Sequence, residues 1–385
     1  MKSDRLHLDT RAIHAGEPVP RIAGAVSAPI FQSATFEYSG ESDYHDLRYI
    51  RLNNTPSHQL LHAKLADLEG AEAAVVAASG MAAISTALLS VLSAGDHALF
   101  QDCLYGGTHD LVTHDLPALG IECELVDGDD PSDWERKLRP TTRVLYLETI
   151  SNPLLSVPDL RAAVEFAQKH GLVSMIDNTF ASPMHFRPPE MGFDLSLHSA
   201  TKYLNGHSDI VAGAVIGRGD LIEGVRRKLN HLGGSLDPHA CFLLNRGIKT
   251  LGVRMRQHCA SALALARFLE QHPAVERVCH PGLTSHPQFE RVRKLFDGTG
   301  GMVSFELRSG AQAAGELLER LELPISAPSL GGVESLVTLP ATTSHAGMSC
   351  AERERMGVSD GLVRVSVGIE DTDDLIQDFR SALEG

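Results

Sequence analysis

From His58 onward the apolar positions fall into helical register. Leu60, Leu61, Leu65 and Leu68 share one face, and Gly70 supplies a stop. Ser79 then precedes Gly80-Met81-Ala82-Ala83-Ile84, which opens a helix expected to run through about Leu92. After it, strand-like runs alternate with helical stretches. Strands are predicted at His97–Phe100, Ile121–Val126, Arg143–Glu148, Leu172–Ile176 and Leu195–His198. Between them, Ser132-Asp133-Trp134-Glu135 has capping-box spacing. Pro158 to His170, closed by Gly171, has the pattern of a helix with Pro near its start and Gly past its end.

Strands alternating with helices predict an α/β fold: a mostly parallel sheet covered on both faces. Ligands of such sheets sit beyond the carboxyl ends of the strands. Around Asp237–Leu244 the pattern changes. A long helical stretch, roughly Ala240 to Glu270, leads to strands at Val275–Cys279 and Met302–Leu307. A helix at Ala311–Leu321, strands near Glu334–Thr338 and Leu362–Val367, and a closing helix from about Asp373 complete a smaller α+β C-terminal domain. The first fifty or so residues are irregular, with Gly16, Pro18, Pro20, Gly24 and Pro29 and no sustained amphipathic pattern. They predict an arm that either embraces a neighbouring subunit or wraps its own surface. The expected division is an arm over 1–57, a ligand-binding domain over 58–237 and a C-terminal domain over 238–385.

Composition narrows the function. The chain has 385 residues, 43% of them hydrophobic and 22% charged, so it can bury a core without staples. Its net charge of −15 opposes nonspecific nucleic-acid binding and a polybasic membrane role. No apolar run approaches the about 18 residues of a membrane span. The N-terminus, MKSDRLHLDTRAIHAG, lacks the apolar stretch of a signal peptide, and a cytoplasmic address is expected. Six scattered cysteines with no CxxC pair predict reduced, packed thiols. Nineteen histidines include no HExxH and no ligand-spaced Cys/His cluster, so no metal is expected.

The most informative segment runs from Val173 to Asp209. A buried strand ends in Asp177, and the next is followed by Ser199-Ala200-Thr201-Lys202. An acid and a lysine at adjacent strand ends fit a structural ion pair. They also fit catalysis. Lys202 is flanked by small and hydroxylated residues rather than by charges, and desolvation there favours the neutral, nucleophilic amine. Ser199 and Thr201 can grip an anion. Ser79-Gly80-Met81 at a helix start offers backbone N–H groups to a phosphate, although a lone Ser-Gly there also fits a plain cap. A lysine amine, a phosphate seat and an acid together describe a site for pyridoxal 5′-phosphate. The lysine would join its aldehyde, and the acid would keep its ring nitrogen protonated. Tyr105, just after a strand, is placed to stack on the ring.

These residues carry a resemblance. The segment DNTFASP…HSATKYLNGHSD is similar to the Cys/Met-metabolism family of pyridoxal-phosphate enzymes, and the similarity extends over nearly the whole chain. Ser79-Gly80-Met81, Glu148-Thr149-Ile150-Ser151-Asn152-Pro153, Ser329-Leu330-Gly331-Gly332-Val333-Glu334-Ser335-Leu336 and Leu362-Val363-Arg364-Val365-Ser366-Val367-Gly368 support it. The resemblance implies the aspartate-aminotransferase-like fold of type I pyridoxal-phosphate enzymes. It implies that Lys202 carries the cofactor and later moves protons. Asp177 would pair with the ring nitrogen and Tyr105 stack on the ring. Gly80, Met81, Ser199 and Thr201 would hold the phosphate. Tyr49 and Arg51 match a Tyr-x-Arg that reaches the phosphate of the neighbouring subunit. Arg364 matches the arginine that binds the substrate α-carboxylate, helped by Asn152 and Ser329. A guanidinium fork suits a carboxylate better than an ammonium does. A homo-oligomer with shared sites follows, a dimer of dimers forming a homotetramer.

The implied activity is carbon–sulfur bond cleavage in a sulfur amino acid. Removing the α-proton suffices for loss of a β-substituent; removing a β-proton as well permits loss of a γ-substituent. Glu334 resembles the glutamate of the family's γ-lyases and γ-synthases and is expected among the substrate-binding residues; with the stretches Cys241–Leu251 and His280–Pro287 it leans toward the cystathionine γ-lyases, with α,γ- or α,β-elimination. Gly107 stands where methionine γ-lyases usually have cysteine. The alternatives are γ-replacement of the cystathionine γ-synthase type and a methionine γ-lyase. A non-catalytic relative is opposed by the presence of Lys202, Asp177, Tyr105 and Arg364 together. Two positions depart from the family pattern. Asp110 replaces an arginine usual where a distal carboxylate is recognised. Asn54-Thr55-Pro56 reverses the usual order of Pro and Thr.

Overall fold

A computed structural model describes residues 6–385; the first five residues of the expected arm lie outside the described residues. Seven strands form the larger sheet: β1 (Ala73–Ala77), β2 (His97–Gln101), β3 (Glu122–Val126), β4 (Thr142–Glu148), β5 (Val173–Asp177), β6 (Leu195–His198) and β7 (Gly213–Gly217). Their order is β1-β7-β6-β5-β4-β2-β3. Only β7 runs against its neighbours, β1 and β6. The five strands expected in this half are β2 to β6, and every adjacent pair among them is parallel.

The pleat sorts side chains onto two faces. Val76, Leu145, Leu147 and Ile176 pack in one core. Their chain neighbours Val75, Val144, Tyr146 and Met175 pack in the other. Both faces are therefore covered, as a parallel sheet requires. Strands β1 and β7 were not expected. Their sequences, AAVVA and GAVIG, are short and rich in small residues, so neither carries a strong β signal. Gly213 is needed at the start of β7, because a Cβ there would run into the backbone of Ser79.

Several helix boundaries also differ from expectation. The helix near Ser132 spans Pro131–Lys137, and its cap is Asp130, which accepts from the Ser132 backbone N–H at 2.9 Å. The capping-box spacing from Ser132 is thus not used: an acid just before a proline at the first helical position takes precedence. The next helix, Leu160–His170, starts after Pro158 with Asp159 as its cap. The long C-terminal stretch divides into Pro238–Ile248 and Leu251–Gln271. At the break, Thr250 Oγ1 and Arg254 Nη2 both donate to the Gly247 carbonyl. The arm is not wholly irregular. Leu8–His14 is a helix, anchored to the helix Pro56–Glu69 by Arg11 with Asp67 and by Lys64 Nζ donating to the Ala12 carbonyl at 2.8 Å. Pro56 occupies the first position of that second helix, so the reversed Thr-Pro order sets a helix start.

The C-terminal sheet contains β8 (Val275–Cys279), β9 (Met302–Leu307), β10 (Ile325–Ser326), β11 (Leu336–Thr338) and β12 (Leu362–Ser366), in the order β10-β11-β12-β9-β8. Its own core joins Leu265, Phe305, Val363, Val365, Leu375 and Phe379. The two-residue β10 has no sequence signal. Among the described residues, no helix is long and apolar enough to cross a membrane.

Candidate active site

A cleft of about 620 Å³ opens at the carboxyl ends of the parallel strands and reaches β12 of the smaller sheet. Asp177 ends β5, and Glu148 ends β4 beside it. The turn that follows β6 carries Ser199, Thr201 and Lys202 into the same cleft. Thr201 fastens that turn: its N–H donates to the Ala212 carbonyl at 3.1 Å, and its Oγ1 accepts from the Ala212 N–H at 3.0 Å.

Lys202 Nζ donates to Ser329 Oγ at 2.6 Å. Burial, reinforced by the positive charge of Arg364, lowers its pKa to about 8. Among the described residues no carboxylate pairs with Lys202, so the structural ion pair with Asp177 is not formed. Asp177 Oδ1 instead accepts from the Thr179 backbone N–H at 2.9 Å. Burial raises the Asp177 pKa, with Thr179 and His198 opposing that shift.

Ser79 caps the helix Gly80–Val91 by accepting from the Ala82 N–H at 3.0 Å. The N–H groups of the first turn have no partner within the helix. A Cβ on Gly80 would lie 2.8 Å from Ser199 Cβ, so glycine brings this helix end against Ser199. The result is a cradle of backbone N–H groups and hydroxyls that fits a phosphate. Tyr105, 43% exposed, faces the cleft, and its ring lies where a Cβ on Gly107 would approach within 2.8 Å.

Arg364 projects from β12 and is 4% exposed. Its Nη1 donates to Asn152 Oδ1 and its Nη2 to the Ser329 carbonyl, both at 3.0 Å, while Nε has no partner. Burial lowers its pKa to about 10. A buried guanidinium held by neutral oxygens is a receptor for an anion. Ser329, which serves both Lys202 and Arg364, has a φ of +91°, a strained conformation for a residue other than glycine.

Three expected residues lie elsewhere. Glu334 is exposed, does not line the cleft, and accepts from Ser208 Oγ at 3.3 Å. Tyr49 and Arg51 line a separate cleft of about 300 Å³ with Phe36, Tyr38 and Tyr44. There Arg51 donates to the Asn230 carbonyl at 2.9 Å and sits 5.7 Å from the Tyr49 ring centre. Conversely, Glu148, Thr179 and Ser344 line the main cleft although no role was expected of them. For Glu148 a signal existed, since it is an acid at the carboxyl end of a buried strand, just as Asp177 is.

Comparison with known proteins accounts for this arrangement. Residues 9–384 match the model of the family described as Cys/Met metabolism PLP-dependent enzyme. An L-methionine gamma-lyase of Porphyromonas gingivalis is 42% identical, covering 97% of this chain and 96% of the relative. A cystathionine beta-lyase of Bacillus subtilis is 43% identical, with 98% and 96% covered. The crystal structure of cystathionine gamma-lyase from Lactobacillus plantarum complexed with L-serine superposes with a TM-score of 0.93 at 37% identity, covering 98% of this chain and 99% of that one. The chain belongs to the Cys/Met metabolism family and is a pyridoxal-phosphate-dependent lyase of cysteine and methionine metabolism. The relatives divide among several lyases at similar identity, so likeness alone does not select the substrate.

Proposed function

We propose that this chain cleaves carbon–sulfur bonds in sulfur amino acids in the manner of a cystathionine γ-lyase, by α,γ- or α,β-elimination to keto acid, ammonia and thiol. The observation that carries the reading is a half-buried Lys202 amine, paired with no carboxylate among the described residues, in one cleft with Asp177, Arg364 and a phosphate cradle. When bound, pyridoxal 5′-phosphate supplies an aldehyde for the amino group and a ring that takes up the electrons left when the α-proton departs. Gly80, Met81, Ser199 and Thr201 hold the phosphate. Asp177 sets its negative charge against the ring nitrogen, and Tyr105 packs over the ring.

Arg364 takes the substrate α-carboxylate between Asn152 and Ser329. The neutral Lys202 amine then removes the α-proton, and for a γ-leaving group it serves the β-position as well. Gly107, standing where methionine γ-lyases usually have cysteine, supports this reading over a methionine γ-lyase. Asp110, with its side chain 67% exposed, offers no cation to a distal carboxylate, which weakens recognition of a second carboxylate.

Residues 1–57 form an arm, which beyond the helix Leu8–His14 docked on this chain's own surface reaches a neighbouring subunit, with 58–237 forming the cofactor domain and 238–385 the C-terminal domain. Arg51 in this chain touches no carboxylate among the described residues, and the arm exposes Val19, Val26 and Tyr38. Both features suit a contact that completes a neighbour's phosphate site in a homotetramer. The substrate reading is tested by supplying cystathionine, methionine, cysteine and an activated homoserine ester in turn. Keto acid and ammonia should dominate. Thioether formation as the sole reaction contradicts a lyase and favours γ-replacement.

A further inference from the structure

Glu148 is 4% exposed at the end of β4, where its register partner on β5 is Asp177. Its Oε1 accepts the Tyr105 backbone N–H at 2.6 Å. Its own backbone N–H donates to Gln101 Oε1 at 2.9 Å. Among the described residues it has no Lys, Arg or His partner. Burial first, and the neighbouring Asp177 charge second, push its carboxyl well above the usual carboxylate range. A buried acid beside another acid, with no cation, is unfavourable in itself. Its position suggests what offsets that cost. Tyr105 arrives on the loop after β2 and faces the cleft.

We propose that Glu148 is a positioning residue: by accepting the Tyr105 backbone N–H it fixes the Tyr105 ring over the cofactor site. The proposal rests on the reading of this cleft as the active site. What matters is an acceptor oxygen at full reach. Glutamine retains that oxygen and removes the ionisable acid. Aspartate retains the acid and withdraws the oxygen by one methylene.

The test compares Glu148→Gln, Glu148→Asp and Glu148→Ala as holoenzymes, reading kcat and KM together with the visible circular dichroism of the bound cofactor. Glu148→Gln should keep kcat/KM within about threefold and leave the dichroic band unchanged. Glu148→Asp should lose about tenfold or more, with an altered band, because a loosened Tyr105 ring misplaces the cofactor against the substrate. Glu148→Ala should fall at least as far; if it does not fold, the Gln and Asp pair decides. Equal losses in Gln and Asp, an Asp variant better than Gln, or three variants matching the parent each overturn the proposal. Borohydride labelling of Lys202 in the parent separates this outcome from failure of the active-site reading, which would show there instead.

Discussion

Lys202 Nζ and Ser329 Oγ lie 2.6 Å apart across the junction between the turn after β6 and the loop before β11. That contact leaves the amine partly desolvated yet free of any carboxylate. Lys64 makes the contrast. Its pKa is also lowered to about 8 by burial, with Glu17 opposing. However, Lys64 Nζ is committed to the Ala12 and Ile13 carbonyls, at 2.8 and 3.2 Å, and to Glu17 Oε1 at 3.4 Å. A lowered pKa therefore does not identify a reactive lysine. An amine that is lowered, lightly held and open to a cleft does.

The first prediction concerns pH. Burial and the Arg364 charge favour the neutral form of Lys202, so its reactive fraction grows as pH rises through about 8. An ordinary lysine would need a pH of about 10.4. The rate at which cofactor-free protein combines with pyridoxal 5′-phosphate should rise across pH 7 to 9 and level off above about 9. A stopped-flow series following the visible absorbance of the bound cofactor checks this. A rate still climbing steeply at pH 10 would count against a desolvated amine.

The second prediction concerns Arg364. Arg364→Lys retains a cation but loses the fork, and it leaves Asn152 Oδ1 or the Ser329 carbonyl unpaired. We expect kcat/KM to fall by about ten- to a hundredfold, through KM more than kcat. Steady-state kinetics on the preferred substrate read this directly. An unchanged KM would remove Arg364 from carboxylate binding.

The third prediction addresses the arm. If Arg51 serves a neighbour, Lys202→Ala and Arg51→Ala chains should complement one another. Each variant alone should be nearly inactive, while an equimolar mixture recovers up to about a quarter of parental activity, because about half of randomly formed pairs are hybrids and each hybrid has one intact site of two. Mass spectrometry must first establish that hybrids form. Inactive hybrids would place Arg51 outside any shared site.

Much of the sheet could be read from the chain. The strands β2 to β6 announce themselves as apolar runs between capped helices, and the acid and lysine at their ends mark one edge of the cleft. Strands β1 and β7 do not, because alanine and glycine dilute the pattern and their pairing spans more than 130 residues. The helix Leu8–His14 was hidden because its apolar face is a single buried alanine held by distant partners. Arg364 illustrates the limit for the site. Taken alone it is a charge within a strand, and only packing against Asn152 and Ser329 makes it a receptor. Glu148 was legible in principle, since it ends a buried strand as Asp177 does. Its bond to a backbone N–H 43 residues away was not.

The most direct measurement is borohydride reduction of the protein saturated with pyridoxal 5′-phosphate, followed by peptide mapping. The account predicts a single cofactor adduct, on Lys202, with Lys64 unmodified and the label lost in Lys202→Ala. No adduct, or one carried chiefly by another lysine, would contradict it.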